Sequence, residues 1–270
     1  MTAPRRPWIV LFFVLASVTS APGGPNVPDA TIEIFHVQNA GVLIRGGGHS
    51  VLVDALTDLT SEPGTPPRPF DRLATPQLQA LRHGRSSVGC VDLVLVTHRH
   101  PDHFTDAVVR DYLDACPDAA LFAPDVPEST ERQIVASIPV TTLALEHVAL
   151  GDVPSQTPHV GHVVHLGAWD VFHCGDAAGS RLNVDRIRRV TTSRRALFLV
   201  PYWFLEAEVS RTWMETLADS TPVVLLHVDP WRRPRVQRLV DDLVSSIPGL
   251  VLPEEHADVP GRRHAWTSTE

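Results

Sequence analysis

The chain has 270 residues and a formal net charge of −8, with 43% hydrophobic and 20% charged residues. That ordinary globular mixture has ample core for one domain and excludes a disordered or fibrous chain. An acidic chain gains little from phosphate counterion release, so nucleic acid is not an expected partner. The basic runs RIRR at 186–189 and WRRPR at 231–235 are short and read as solvated helix faces. All 23 basic residues are Arg, and His reaches 14 against 2 Met and 2 Tyr. The meaning of those histidines depends on where they sit.

In chain order, Arg5 and Arg6 precede an apolar run at 8–18, then Thr19, Ser20, Ala21 and Pro-Gly-Gly-Pro. A basic start, an apolar stretch and a small-residue end make 1–21 a signal peptide, 22–30 a Pro/Gly-rich linker and the protein exported, periplasmic or secreted. An uncleaved anchor is the other reading of that run, which falls short of the about 20 residues a bilayer span needs. The mature chain is expected to hold no stable membrane span. Short strands follow at 32–37, 42–45 and 51–53, with Gly46, Gly47 and Gly48 turning between the last two. A Pro-rich loop at 62–69 leads into a helix at 70–83. The run VDLVLVT at 91–97 is continuously apolar, the mark of a strand buried on both faces. Beyond it lie a helix at 103–115, a strand at 119–123, a helix at 127–138 and a strand at 140–147. A hairpin at 163–166 and 171–174 comes next. The chain then alternates helix 183–190, strand 196–200, helix 209–218, strand 223–227 and helix 235–247, and the polar tail 253–270 reads as loose. Alternating strands and helices predict a layered α/β body, one domain over 31–252. Cys90, Cys116 and Cys174 allow at most one intramolecular disulfide, and Cys174, in an apolar strand, reads as a small buried residue.

The strongest chemical signal is Thr97-His98-Arg99-His100-Pro101-Asp102-His103, which leaves a buried strand and opens a helix. On an extended turn His98 and His100 project to one side, and Asp102 and His103 come from the next bend. Without a cation the three imidazoles would sit in close contact, unfavourably once protonated. With one, they supply nitrogen and oxygen ligands to neighbouring metal positions.

His98-X-His100-X-Asp102-His103 after an apolar strand resembles the signature of the metallo-β-lactamase fold hydrolases. The resemblance runs from about residue 32 to about 247 and implies a four-layer αββα sandwich. It also implies further ligands at later strand ends. Asp176, after Phe172-His173-Cys174-Gly175, would bridge two metals, and His227, after Leu225-Leu226, would be the last ligand. Asp54, after Val51-Leu52-Val53, would support the site from behind. The middle His stays open. His147 ends a strand 29 residues before Asp176, which resembles the phospholipase-like and sugar-lactonase-like branch, whereas His159 lies just before the hairpin, as in many other members. His162 is the less favoured position. His36 is a candidate support or substrate-facing residue, and Tyr202 and Trp203 a candidate substrate wall. His173 and His165 read as packing residues, and His49, His83, His256 and His264 as surface.

The implied cofactor is two divalent ions, zinc by preference. His98, His100 and His147 would hold one; Asp102, His103 and His227 the other; and Asp176 both. A hydroxide between the ions would attack a small-molecule ester, with Asp102 orienting it. The branch resemblance favours a phosphodiester or lactone-type ester. A β-lactam or thioester substrate, a non-catalytic metal-binding module, and a di-iron redox variant are the alternatives.

Overall fold

A computed structural model describes residues 31–59, 72–123, 130–149, 157–191, 195–217, 221–253 and 263–267. The expected signal peptide and linker, the Pro-rich loop 62–69 and His256 lie outside these residues.

The first half opens with three antiparallel strands, β1 (Thr31–Gln38), β2 (Gly41–Gly46) and β3 (His49–Val53). Gly47 and Gly48 turn β2 into β3 with φ of 55° and 77°, as a two-residue hairpin turn requires. Helix α1 (Thr75–Arg82) has Pro76 in its first turn, where a missing N–H costs nothing. β4 (Leu93–Leu95), α2 (Asp106–Ala115) and β5 (Ala120–Phe122) follow, β4 and β5 parallel to β3. The second half repeats the plan. β6 (Glu131–Val135), β7 (Ile138–Ala144), β8 (Val160–Leu166) and β9 (Trp169–His173) are antiparallel. After α3 (Arg181–Val190), β10 (Ala196–Pro201), β11 (Val223–Leu226) and β12 (Leu250–Val251) run parallel to β9. Helices α4 (Trp203–Glu206) and α5 (Glu208–Met214) join β10 to β11, and α6 (Arg233–Leu243) joins β11 to β12. A last strand, β13 (Arg263–Thr267), pairs with β1. One sheet has the order β13-β1-β2-β3-β4-β5 and the other β12-β11-β10-β9-β8-β7-β6.

Strand alternation assigns side chains to layers. Ile34, Ile44, Val53 and Leu95 of the first sheet meet Val140, Val164, Val171 and Leu199 of the second in a central core. Leu52 and Val94, on the other face of the first sheet, pack with Leu78 and Leu81 of α1 and Val108 and Tyr112 of α2. Phe172, Phe198 and Leu225, on the outer face of the second, pack with Val184 and Ile187 of α3, Trp213 of α5 and Val236 of α6. Burial on both faces accounts for the unbroken apolar runs. The architecture is the four-layer αββα sandwich that the resemblance implied.

Several local expectations are corrected. Residues 127–129 of the helix expected at 127–138 lie outside the described residues; from Glu131 on, the chain forms the hairpin β6–β7 instead, because Ala136 and Ser137 adopt φ of 50° and 66° and register with β7 outweighs local helix preference. The helix expected at 209–218 begins earlier, as α4 and α5 broken at Ala207, whose backbone is extended. The helix expected from His103 starts at Asp106, leaving His103 in a turn that closes by a hydrogen bond from its N–H to the His100 carbonyl. The tail expected to be loose contributes β13, since β1 offers it an open edge. Cys90 and Cys116 form a disulfide, and Cys174 is a free, buried thiol.

Candidate metal centre

The ligand candidates leave the same end of the two sheets. His98, His100, Asp102 and His103 lie between β4 and α2, His147 follows β7, Asp176 follows β9 and His227 follows β11. Three of the turns there hold left-handed non-glycine residues: Asn39 (φ 45°), Asp54 (φ 50°) and His227 (φ 59°). Such strain persists only where surrounding structure dictates it, and it clusters at functional sites. Gly175 has φ of 52°, and a Cβ there would lie 2.5 Å from Thr97 Oγ1 and 2.7 Å from His159 Nε2. Only glycine lets the turn after β9 deliver Asp176 so close to the β4 end.

Two donor sets result. In one, His98 Nε2 lies 3.0 Å from His100 Nδ1 and 3.3 Å from His147 Nε2, with Asp176 Oδ2 3.6 Å from His147 Nε2 and 4.0 Å from His98 Nε2. In the other, Asp176 Oδ1 lies 3.1 Å from His103 Nε2 and 3.6 Å from His227 Nε2. Asp102 Oδ2 lies 3.0 Å from His227 Nε2 and 3.7 Å from His103 Nε2. Tetrahedral bonds of about 2.0–2.1 Å put ligand nitrogens about 3.4 Å apart, so both sets suit a zinc-sized ion. Within each set the ligand atoms all lie within 4.8 Å of one another, and Asp176 belongs to both. His103 Nε2 and Asp176 Oδ1 are buried and make no hydrogen bond, although they face each other. A buried nitrogen and a carboxylate oxygen left without partners fit a cation between them.

Four of the five imidazoles are aimed by their other nitrogen. Asp54 Oδ2 accepts from His103 Nδ1 at 2.8 Å and from the Thr97 hydroxyl at 2.6 Å, and Asp54 Oδ1 accepts from the Thr97 N–H at 2.8 Å. His147 Nδ1 donates to the Val148 carbonyl at 2.8 Å. His100 Nε2 meets Thr157 Oγ1, and His98 Nδ1 meets Thr97 Oγ1, each at 3.0 Å.

Charge within the site follows from burial and neighbours. Burial, with His103 adding to it, drives His98 far below the ordinary imidazole range, and burial lowers His100 too, so both offer lone pairs at neutral pH. Burial also opposes charge on His103 and His227. The carboxylates Asp176 and Asp102 outweigh it, and hold His103 well above its usual range and His227 above it. Burial favours a neutral Asp176, but His103 and His227 hold it well below the carboxylate range. The carboxylates thus demand positive charge, which a divalent ion can supply.

The open choice between His147 and His159 meets a clear geometry. His147 Nε2 joins the first donor set. His159 Nε2 instead accepts the backbone N–H of Asp176 at 3.0 Å, and burial lowers its pKa to about 3. His162 bonds to Val96 and Thr142, and His173 to Ala40 and Gly175, so both brace strands. His165 holds Asp170 and Thr141 on the second sheet. His36 bonds to the Asn39 carbonyl at 2.8 Å. Trp203 stands edge-on to His227, ring centroids 4.8 Å apart, and its Nε1 donates to the Ala177 carbonyl. Tyr202 is buried in the outer core and packs edge-on against Trp203, ring centroids 5.2 Å apart, while its hydroxyl accepts from Arg232. Sequence reasoning missed Asn39, Thr97 and Thr157, polar residues whose roles exist only through contacts distant in sequence.

A family model described as a beta-lactamase superfamily domain matches residues 33–191. No curated protein sequence matches the chain. Among solved structures, a possible metal-dependent hydrolase from Veillonella parvula is similar with a TM-score of 0.59 at 14% identity, over 86% of this chain and 98% of that one. Igni18, a metallo hydrolase from the archaeon Ignicoccus hospitalis, is similar with a TM-score of 0.58 at 13% identity, over 88% of this chain and all of its own. An isothiocyanate hydrolase from Delia radicum gut bacteria gives 0.56 at 14% identity, over 87% of this chain and all of its own. With the family model covering more than half of the sequence and the four-layer fold in place, the chain belongs to the metallo-β-lactamase superfamily of metal-dependent hydrolases.

Proposed function

We propose that the protein is an exported dinuclear metallohydrolase acting on a phosphodiester or lactone-type ester. The observation that carries the dinuclear reading is the disposition of Asp176: one oxygen faces His98 and His147, the other faces His103 and His227. His98, His100 and His147 would hold one ion, Asp102, His103 and His227 the other, and Asp176 both. Zinc is preferred, because imidazole and carboxylate ligands in small tetrahedral sets suit it. When bound, two such ions supply a water activated at neutral pH and a positive field for charge developing on the substrate oxygen. Asp102, partly exposed at the mouth, orients the attacking water through its carboxylate. Trp203 walls the approach beside His227. Export is supported by the Cys90–Cys116 disulfide, which persists in oxidising compartments. Among the described residues, no helix is long and apolar enough to cross a membrane.

The test is metal-stripped protein reconstituted with Zn(II) and assayed on an activated phosphodiester, a set of lactones, a β-lactam and a thioester, beside His98→Ala. Hydrolysis of the phosphodiester or a lactone that needs metal and is lost in His98→Ala supports the reading. Preference for the β-lactam or thioester transfers the site to the alternative substrates. Equal, metal-independent rates for both proteins overturn it.

A further inference from the structure

Asn39, in the turn between β1 and β2, is bound to three separate parts of the site. Its backbone carbonyl accepts the His227 N–H at 3.1 Å and bonds to His36 Nε2 at 2.8 Å. Its side-chain Nδ2 lies 3.2 Å from Asp102 Oδ2, 3.4 Å from the Asp102 carbonyl and 3.3 Å from His227 Nε2. The residue is buried and left-handed, with φ of 45°. The partners fix which way the amide faces: turned over, its oxygen would meet the Asp102 carboxylate and carbonyl, which accept and cannot donate. That orientation leaves Oδ1 buried with no hydrogen-bond partner. A left-handed backbone and an unsatisfied buried acceptor both cost stability, so fold stability does not select this arrangement. What it achieves is to hold the Asp102 carboxylate through its side-chain N–H and the His227 backbone through its carbonyl. Among the described residues, no hydrogen bond joins Asn39 to His98, His100 or His147.

We infer that Asn39 is a positioning residue for one metal position of the two, fixing Asp102 and His227 while leaving the His98, His100 and His147 position untouched. The inference rests on the reading above that these side chains hold metal. His36 acts one step further back, by fixing the turn that carries Asn39.

The test is Co(II) titration of the metal-stripped full chain, followed by visible absorption and by metal content after dialysis against buffered free Co(II). Asn39→Gly is the main variant, because glycine accepts φ of 45° and only the amide is lost. Asn39→Ala removes the same amide and also strains the backbone. The wild type is expected to bind two ions. Both variants are expected to keep one at wild-type affinity and to bind the other about 10- to 100-fold more weakly. Thermal unfolding without metal should separate the variants, Ala below Gly, although their metal defect is shared. Asn39→Gly with two wild-type affinities overturns the inference, as does equal weakening of both ions, which marks a merely structural role. A wild type that takes up no Co(II) fails the metallohydrolase reading itself, and this inference with it.

Discussion

Asp54 Oδ2 lies 2.8 Å from His103 Nδ1, with both side chains fully buried, so the carboxylate fixes the tautomer that turns His103 Nε2 toward Asp176. A strand-end carboxylate thereby orients a ring contributed by a different loop. Asp54→Asn keeps the size and the tolerance for a left-handed backbone but replaces an acceptor with an amide that can present N–H to the ring. Metal affinity at the Asp102, His103 and His227 position is expected to fall about 10- to 100-fold. Equilibrium dialysis of the variant against buffered Zn(II) checks it.

His147 and His159 separate in a simple experiment. His147→Ala removes a ring whose Nε2 faces the first donor set, and bound metal should drop by one ion per chain. His159→Ala removes the acceptor of the Asp176 N–H, so both ions should remain, held more weakly because the shared carboxylate is loosened. Elemental analysis of both variants distinguishes them.

Gly175→Ala should be strongly destabilising. The new methyl would lie 2.5 Å from Thr97 Oγ1 in a backbone with φ of 52°. Strain and overpacking together are expected to cost about 2–4 kcal/mol. A urea midpoint unchanged from wild type would contradict the tight turn.

Much of this was legible in the sequence because strands and ligands share one signal. The motif 98–103 sits where a buried strand must end, and the Gly175-Asp176 step marks a turn that only a small residue can make. The hairpin β6–β7 was not legible, because Ala136 and Ser137 carry no Gly or Asn to announce a left-handed turn. β13 escaped for a related reason: a polar tail becomes a strand only where β1 offers an open edge. Asn39 was illegible in a deeper sense. Its partners, Asp102 and His227, lie 63 and 188 residues away, and nothing local marks an amide that acts across such distances.

Acid should weaken the fold through His162. Its Nε2 bonds to the Val96 carbonyl and its Nδ1 to the Thr142 hydroxyl, and burial pulls its pKa from 6.5 to about 4. The unfolded chain then binds a proton more readily than the folded one between those values. Stability is therefore complete above pH 6.5 and declines as pH falls toward 4, by about 3 kcal/mol for this group alone. His162→Gln should flatten part of that decline in urea midpoints measured from pH 7 to pH 4.5. An unchanged slope would contradict the assignment.

The Cys90–Cys116 disulfide closes a 26-residue separation that carries β4, the motif 98–103 and α2. Reduction, or Cys116→Ser, is expected to cost about 3 kcal/mol, chiefly by freeing the unfolded chain. Thermal unfolding with and without reductant measures it, and a midpoint insensitive to reductant would contradict a closed bond in the native protein.

Seven side chains are expected to hold two metal ions across Asp176. Anomalous diffraction from metal-loaded crystals, recorded on either side of the zinc edge, tests it most directly. Two peaks are expected, one among His98 Nε2, His100 Nδ1 and His147 Nε2, the other among Asp102, His103 Nε2 and His227 Nε2, with an Asp176 oxygen turned to each. A single peak, or a peak at His159 with His147 turned away, would contradict it.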